Sequence, residues 1–329
     1  MIDKITEKLK NGDKYCLQFD GKRLEEVEYQ VFLLTNSTEE IKLGISKCNS
    51  GSASDIYEEL KNTIEKYDAW KNITMIICDT TNVNTGKTNG VVSLLQQKFN
   101  QEGYTEPQYI GCQHHILDLV IMHILKFSFQ DVSKGPNLPY RFINQIQKDY
   151  NSLKQEYERK ASSELQIHDN PGWRDDFRFL YELCQAFRFF KSSTILPKIK
   201  WKSLPPINNA RWNSKAIYCI IGFFLLPNWR EKLGKLCEFI CYEWADAWFS
   251  DQRYNELSYN SLLSSLDKIG SVKANNSLRR NWSEENSRID IPRTNQVAER
   301  AVKRMAEIYH MTIKKELMSY KFIIENKID

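Results

Sequence analysis

Glycine and proline are scarce, with 13 and 9 among 329 residues. That excludes collagen-like and loop-dominated chains and favours long helices. Long apolar runs are missing too. The longest, Ala216 to Leu226, has 11 residues. A bilayer-spanning helix needs roughly 20, so no membrane partner is expected. Neither sign of charge dominates: 46 basic and 42 acidic residues leave a net charge of +4. A balance this close does not by itself imply a nucleic-acid partner. No cysteine pair has zinc-finger spacing. The eight cysteines (Cys16, Cys48, Cys78, Cys112, Cys184, Cys219, Cys237, Cys241) are scattered, mostly in apolar runs, and no secretory leader precedes them. They are expected to be buried, reduced thiols of an intracellular protein. The N-x-S/T triplets, such as that at Asn72, are expected to be chance matches.

Apolar and aromatic residues are present in ordinary to generous amounts, at 41% and 12%, enough for one large domain or two smaller ones. The first third of the chain alternates between two periodicities. Lys14 to Gly21 has a period of two, with Tyr15, Leu17 and Phe19 on one face and Cys16, Gln18 and Asp20 on the other. Glu28 to Thr35 and Ile41 to Lys47 read as two further strands, joined by short turns. Ser52 to Trp70 has helical spacing, and Ser52 with Asp55 resembles a capping box. Ile73 to Cys78 is apolar on both faces and belongs at the centre of a sheet. A helix from about Thr88 to Asn100, a short strand at Gln108 to Cys112 and a helix from His115 to Phe127 follow. Short early connections predict an antiparallel meander, and the later helical crossovers predict parallel neighbours. The expected sheet is five-stranded and mixed, in the order 3-2-1-4-5, which is the ribonuclease H-like arrangement.

Beyond Phe129 the pattern turns helical and tryptophan-rich as far as about Leu266. Lys268 to Ile291 is polar and reads as a loop, and a long helix is expected from Thr294. The domains expected are therefore an α/β domain over 1–129 and 290–329, interrupted by a large all-α insertion over 130–289.

Three carboxylates hold topologically related places: Asp20 at the end of the first strand, Asp79 after the fourth, and Glu299 in the helix TNQVAERAVK. In the order 3-2-1-4-5, strands one and four are parallel neighbours about 4.8 Å apart. Their C-terminal edge is where open α/β sheets bind ligands. Carboxylates that close favour a shared cation, and Mg²⁺ (or Mn²⁺) is the hard ion that oxygen donors select. A third carboxylate from a packed helix would complete a two-ion site for phosphodiester chemistry. Taken singly, each has a plainer explanation. An Asp after an apolar strand also serves as a turn residue or N-cap, and Asp79 before Thr80 and Thr81 fits that role.

The segments IICDTTNVNTGKTNGVVSLL, YIGCQHHILDLV, NARWNS and RTNQVAERAVKRM, in that order, resemble the landmarks of hAT-superfamily DNA transposases. The resemblance covers most of the chain, from about Lys14 to Ile313. It implies a ribonuclease H-like catalytic domain with a helical insertion, and Asp20, Asp79 and Glu299 as the metal-binding catalytic triad. The family's C-x-x-H motif corresponds to Cys112 and His115, which either pack in the core or touch DNA. Its R-W pair corresponds to Arg211 and Trp212, for which stacking on a flipped base and a place in the core are both open. The family's Asn beyond the second Asp is matched loosely by Asn82 or Asn84. Lys22, Arg23, Lys87 and Arg300 could contact phosphates. The activity implied is metal-dependent DNA cleavage and strand transfer, with DNA as partner, a homo-oligomer formed through the insertion and a nuclear location. The first strand begins near Lys14, leaving no room for the family's N-terminal zinc-finger domain. A truncated or domesticated copy is therefore expected, and the alternative is an inactive DNA-binding or protein-interaction module.

Overall fold

A computed structural model describes residues 2–24, 27–129, 140–167, 173, 175–207, 213–245 and 256–281. The chain forms two compact units, a first that includes Met1–Gln113 and a second, His114–Ile289.

In the first unit, helix α1 (Ile2–Leu9) precedes strands β1 (Tyr15–Leu24), β2 (Val27–Thr35) and β3 (Glu40–Cys48). Then come α2 (Ala53–Lys66), β4 (Ile73–Cys78), the single turn α3 (Asn82–Thr85), α4 (Val91–Gln101) and β5 (Gln108–Gly111). The five strands form one mixed sheet in the order β3-β2-β1-β4-β5. β2 pairs antiparallel with β1 and β3, while β4 pairs parallel with β1 and β5. The period-two pattern explains the packing. Tyr15, Leu17 and Phe19 share one core with Phe32, Leu34, Ile76, Leu60 and Ile64 of α2, and Leu95 and Phe99 of α4. Val31 and Leu33 are buried on the opposite face, against Ile45.

Local chemistry sets the boundaries. The Ser52 side chain accepts the Asp55 N–H at 3.2 Å and caps α2. The Asp55 carboxylate does not return to Ser52; it accepts from the Ser50 hydroxyl at 2.5 Å, so only half of the capping box forms. α2 stops at Lys66, short of the Trp70 expected. Asp68 takes a left-handed φ of 50° and the Ala69 N–H reaches back to the Ile64 carbonyl at 3.0 Å, which turns the chain. Asn72, fully buried, donates to the Leu9 and Asp13 carbonyls at 2.8 and 2.9 Å and ties the start of β4 to the loop before β1.

The second unit is helical: α5 (Gln113–Ser128), α6 (Arg141–Glu158), α7 (Asp175–Ser193), α8 (Ser214–Leu225), α9 (Arg230–Phe239) continued by a π-helical turn (Ile240–Trp244), α10 (Glu256–Ile269) and α11 (Val272–Asn281). α8 is its centre and is buried on every side. Gly222 lets α6 and α9 close on it, since a Cβ there would lie 2.9 Å from Leu233 Cδ1 and 3.1 Å from Phe142 Cδ2. All eight cysteines are buried free thiols. No helix among the described residues is long and apolar enough to cross a membrane.

Two expectations need correction here. α5 does not complete the sheet-bearing unit: Ile116, Leu117, Val120, Ile121, Ile124 and Leu125 join the helical core, so the first division falls after Gln113 rather than after 129. The stretch from Lys268, expected to be a loop, contains α11. Among its described side chains only Ala274 and Leu278 are buried, and three asparagines dilute its helical signal. Ser271 starts the helix, its hydroxyl accepting the Ala274 N–H at 3.4 Å. The helix expected from Thr294 lies outside the described residues.

One ion pair joins α5 to α8. Lys215 Nζ lies 2.9 and 2.8 Å from the two oxygens of Asp118, whose side chain is only 8% exposed. Burial lifts the Asp118 carboxyl above its ordinary value, and the Lys215 ammonium draws it back. Removing the cation would strand a buried carboxylate. Lys215→Met is therefore expected to destabilise the helical unit by about 3–5 kcal/mol, measured by urea unfolding followed through tryptophan fluorescence.

Candidate functional site

The relative lengths of β1 and β4 place the two described carboxylates. β4 ends at Cys78, and its ladder with β1 runs from Tyr15↔Ile73 to Gln18↔Ile77. β1 continues to Leu24 on the strength of its pairing with β2, where Asp20 faces Val31, Lys22 faces Tyr29 and Arg23 faces Glu28. Asp20 therefore does not end its strand, as the hydrophobic pattern suggested. It lies within β1, two residues past the last pair with β4. Asp79 is likewise two residues past that pair, in the loop leaving β4. Continuing the parallel register brings the two residues level at the C-terminal edge of β4. Both are partly exposed. Both carboxylates act on the buried Cys78 thiol. Its ionisation is pushed well up, chiefly by burial, and further by Asp79, Cys112, Asp20 and Cys16.

The loop after β4 fixes one of these carboxylates. Asp79 Oδ1 accepts three hydrogen bonds: from the Thr81 N–H at 3.1 Å, the Thr81 hydroxyl at 2.7 Å and Asn84 Nδ2 at 2.7 Å. The turn-residue reading of Asp79 is thus correct for one oxygen. Oδ2 takes no hydrogen bond from the described residues. Asn84 is buried, and its own Oδ1 has no hydrogen-bond partner. Gly86 and Gly90 clamp the loop. Gly90 N–H donates to the Gly86 carbonyl at 2.9 Å, and a Cβ on Gly90 would lie 2.4 Å from Gly86 N and 2.8 Å from the Asn84 carbonyl oxygen.

The donors gathered here are oxygens: two carboxylates and a buried amide carbonyl without a donor. That set suits a hard divalent cation such as Mg²⁺ better than a thiol-seeking metal. Among the described residues no group of three or more His, Cys, Asp or Glu is placed to hold a metal. Glu299, the expected third carboxylate, lies outside the described residues, as do Arg300, Arg211 and Trp212. Lys22 projects from the same strand face as Asp20, two residues on, and Lys87 is exposed in the Gly86–Gly90 turn. Arg23 is exposed and opposes Glu28, whose carboxyl is raised by burial and lowered by the Arg23 charge. The Cys112 N–H donates to the Cys78 carbonyl at 2.9 Å, extending the β4–β5 ladder by one residue. His115 is half-buried in the first turn of α5.

Sequence reasoning left Asn82 and Asn84 as equal candidates. The turn reading names Thr80 and Thr81 together; Thr81, at the D-x-T spacing of an Asx-type turn, is the one that bonds Asp79. No family model matches the chain, and no curated protein matches it at a significant level.

The Gly86–Gly90 approach leaves no room for a side chain. Gly90→Ala is expected to cost about 1–3 kcal/mol and to release the Asp79 loop. Faster exchange of the Thr81 amide, with β1 and β2 amides unchanged, is the expected hydrogen-exchange result.

Proposed function

We propose that the chain carries the catalytic core of a DNA transposase resembling the hAT superfamily, a ribonuclease H-like domain interrupted by a helical insertion. What supports this reading is that Asp20 and Asp79 each follow the last β1–β4 pair by two residues, in a sheet of order 3-2-1-4-5. Asp20 and Asp79, with Glu299 as the third carboxylate, would hold Mg²⁺ or Mn²⁺. When bound, such an ion supplies Lewis-acid stabilisation of the charge that builds on a scissile phosphate.

The residues around the edge have separate tasks. Thr81 and Asn84 hold one oxygen of Asp79, so the carboxylate is oriented before any ligand arrives and its other oxygen is left for one. Lys22 and Lys87 lie close in sequence to the two carboxylates and would draw the DNA backbone, as would Arg23 and Arg300. Arg211 and Trp212 would steady an unstacked base. Cys112 is best explained as packing, since it is buried and completes the edge of the sheet. The helical unit would build the homo-oligomer, and a DNA substrate implies a nuclear location.

The test is cleavage of nicked and hairpin-ended DNA duplexes in Mg²⁺ or Mn²⁺. Asp79→Asn keeps an acceptor for Thr81 but loses the charge. It should lower cleavage by about three orders of magnitude, the equivalent of several kcal/mol of electrostatic stabilisation. Cleavage that persists in Asp79→Asn, or in excess chelator, overturns the proposal. DNA affinity with steep salt dependence but no divalent-ion binding would instead favour an inactive DNA-binding module.

A further inference from the structure

The helical unit contains a cleft of about 710 Å³ between the last turn of α5, the α9–π helix and α10. Its floor is aliphatic and aromatic: Ile124, Leu236, Phe239 and Ile269. Two of the few exposed large apolar side chains among the described residues stand at it, Phe127 (54% exposed) and Tyr242 (43%). Exposed aromatics gathered over an apolar floor mark interaction sites more often than isolated ones do.

The π-helical turn holds Tyr242 in place. Widening the helix at Ile240–Trp244 leaves the Cys241 carbonyl to accept from the Arg188 guanidinium, at 2.9 Å from Nε. That guanidinium then lies 5.6 Å from the Tyr242 ring centre, and the Phe187 ring packs edge-on at 6.3 Å. A side chain braced in this way loses little freedom on binding. π-turns of this kind recur at functional sites.

Charge around the cleft selects among occupants. Lys232, Lys235 and Lys268 line it, with Glu238 and Glu243. Glu238 is matched from outside the lining by Lys191 at 2.6 Å, so the lysines carry the excess. Neither Lys235 nor Lys268 forms an ion pair with the described residues. A nucleic-acid strand needs a continuous cationic track and stacking faces. Here two carboxylates interrupt the track, and the floor is largely aliphatic. An amphipathic helix matches on both counts, its apolar stripe filling a groove between helices and its acidic flank meeting lysines.

We propose that this cleft docks an acidic amphipathic helix of a partner protein. The inference does not depend on the carboxylate site of the first unit. It is tested on the full chain, in chelator and without DNA, by fluorescence anisotropy. The probe is a labelled peptide of about four helical turns, with leucines at i, i+3, i+4 and i+7 and glutamates flanking them. Saturable binding is expected, weakened roughly tenfold or more by Phe127→Ala or Tyr242→Ala. Lys235→Glu with Lys268→Glu should weaken it further and flatten its salt dependence, while Asp79→Asn should leave it unchanged. Retained tryptophan fluorescence and unfolding midpoints show that the variants are folded. Absence of saturable binding overturns the proposal, as does equal affinity for a scrambled peptide of the same composition. So does displacement of the peptide by oligothymidylate, which would make the cleft a nucleic-acid site. Self-association of the chain that is lost in Phe127→Ala would make it an interface between copies and likewise overturn the proposal.

Discussion

The first unit depends on β1 having two different partners. Along one edge it pairs antiparallel with β2 over its whole length, and along the other it pairs parallel with β4 over its first half only. The antiparallel ladder stiffens a strand that would otherwise end with its hydrophobic pattern at Gly21. The parallel ladder stops at the end of β4, so among the described residues the far half of β1 pairs with no strand on that side. Asp20 lies in that half of β1, and Asp79 lies in the loop that leaves β4, each two residues past the last shared pair.

The loop after β4 adds orientation to position. A carboxylate at a strand end is ordinarily free to rotate, but Thr81 and Asn84 fix one oxygen of Asp79, and the Gly86–Gly90 contact holds the loop that carries Asn84. The cost is a buried Asn84 carbonyl oxygen without a donor. An unsatisfied acceptor of this kind disfavours the fold by about 1–3 kcal/mol, and such groups are tolerated mainly where a ligand or water completes them. The same loop thus makes a turn around one oxygen of Asp79 and leaves a buried amide oxygen without a donor.

The helical unit follows a different principle. α8 has no polar face, so its neighbours must surround it, and the Lys215–Asp118 pair fixes how α5 meets it. The π-helical turn at Ile240–Trp244 departs from regularity in the same unit, and it borders the cleft where Phe127 and Tyr242 remain exposed. The Trp244 indole N–H donates to the Leu117 carbonyl at 2.9 Å, so this irregular turn is tied to α5 by a buried hydrogen bond.

Sequence alone determined the strands and their order. Period-two alternation and connection length are local properties, and each strand of the five was legible to within a few residues. The cap at Ser52 was legible for the same reason. Sequence could not determine which core an apolar helix joins: α5 is apolar on most of its surface and is compatible with either unit, and only its burial in the helical core assigned it. Nor could it find α11, whose two anchoring residues are too few to set a period and whose stability comes from contact with α10. The site divides along the same line. That Asp20 and Asp79 belong at one sheet edge follows from strand order. That Asp20 lies within a longer strand, and that Asn84 rather than Asn82 holds Asp79, was decided by tertiary structure, because hydrogen bonds between a loop and a strand end leave no periodic trace in the chain.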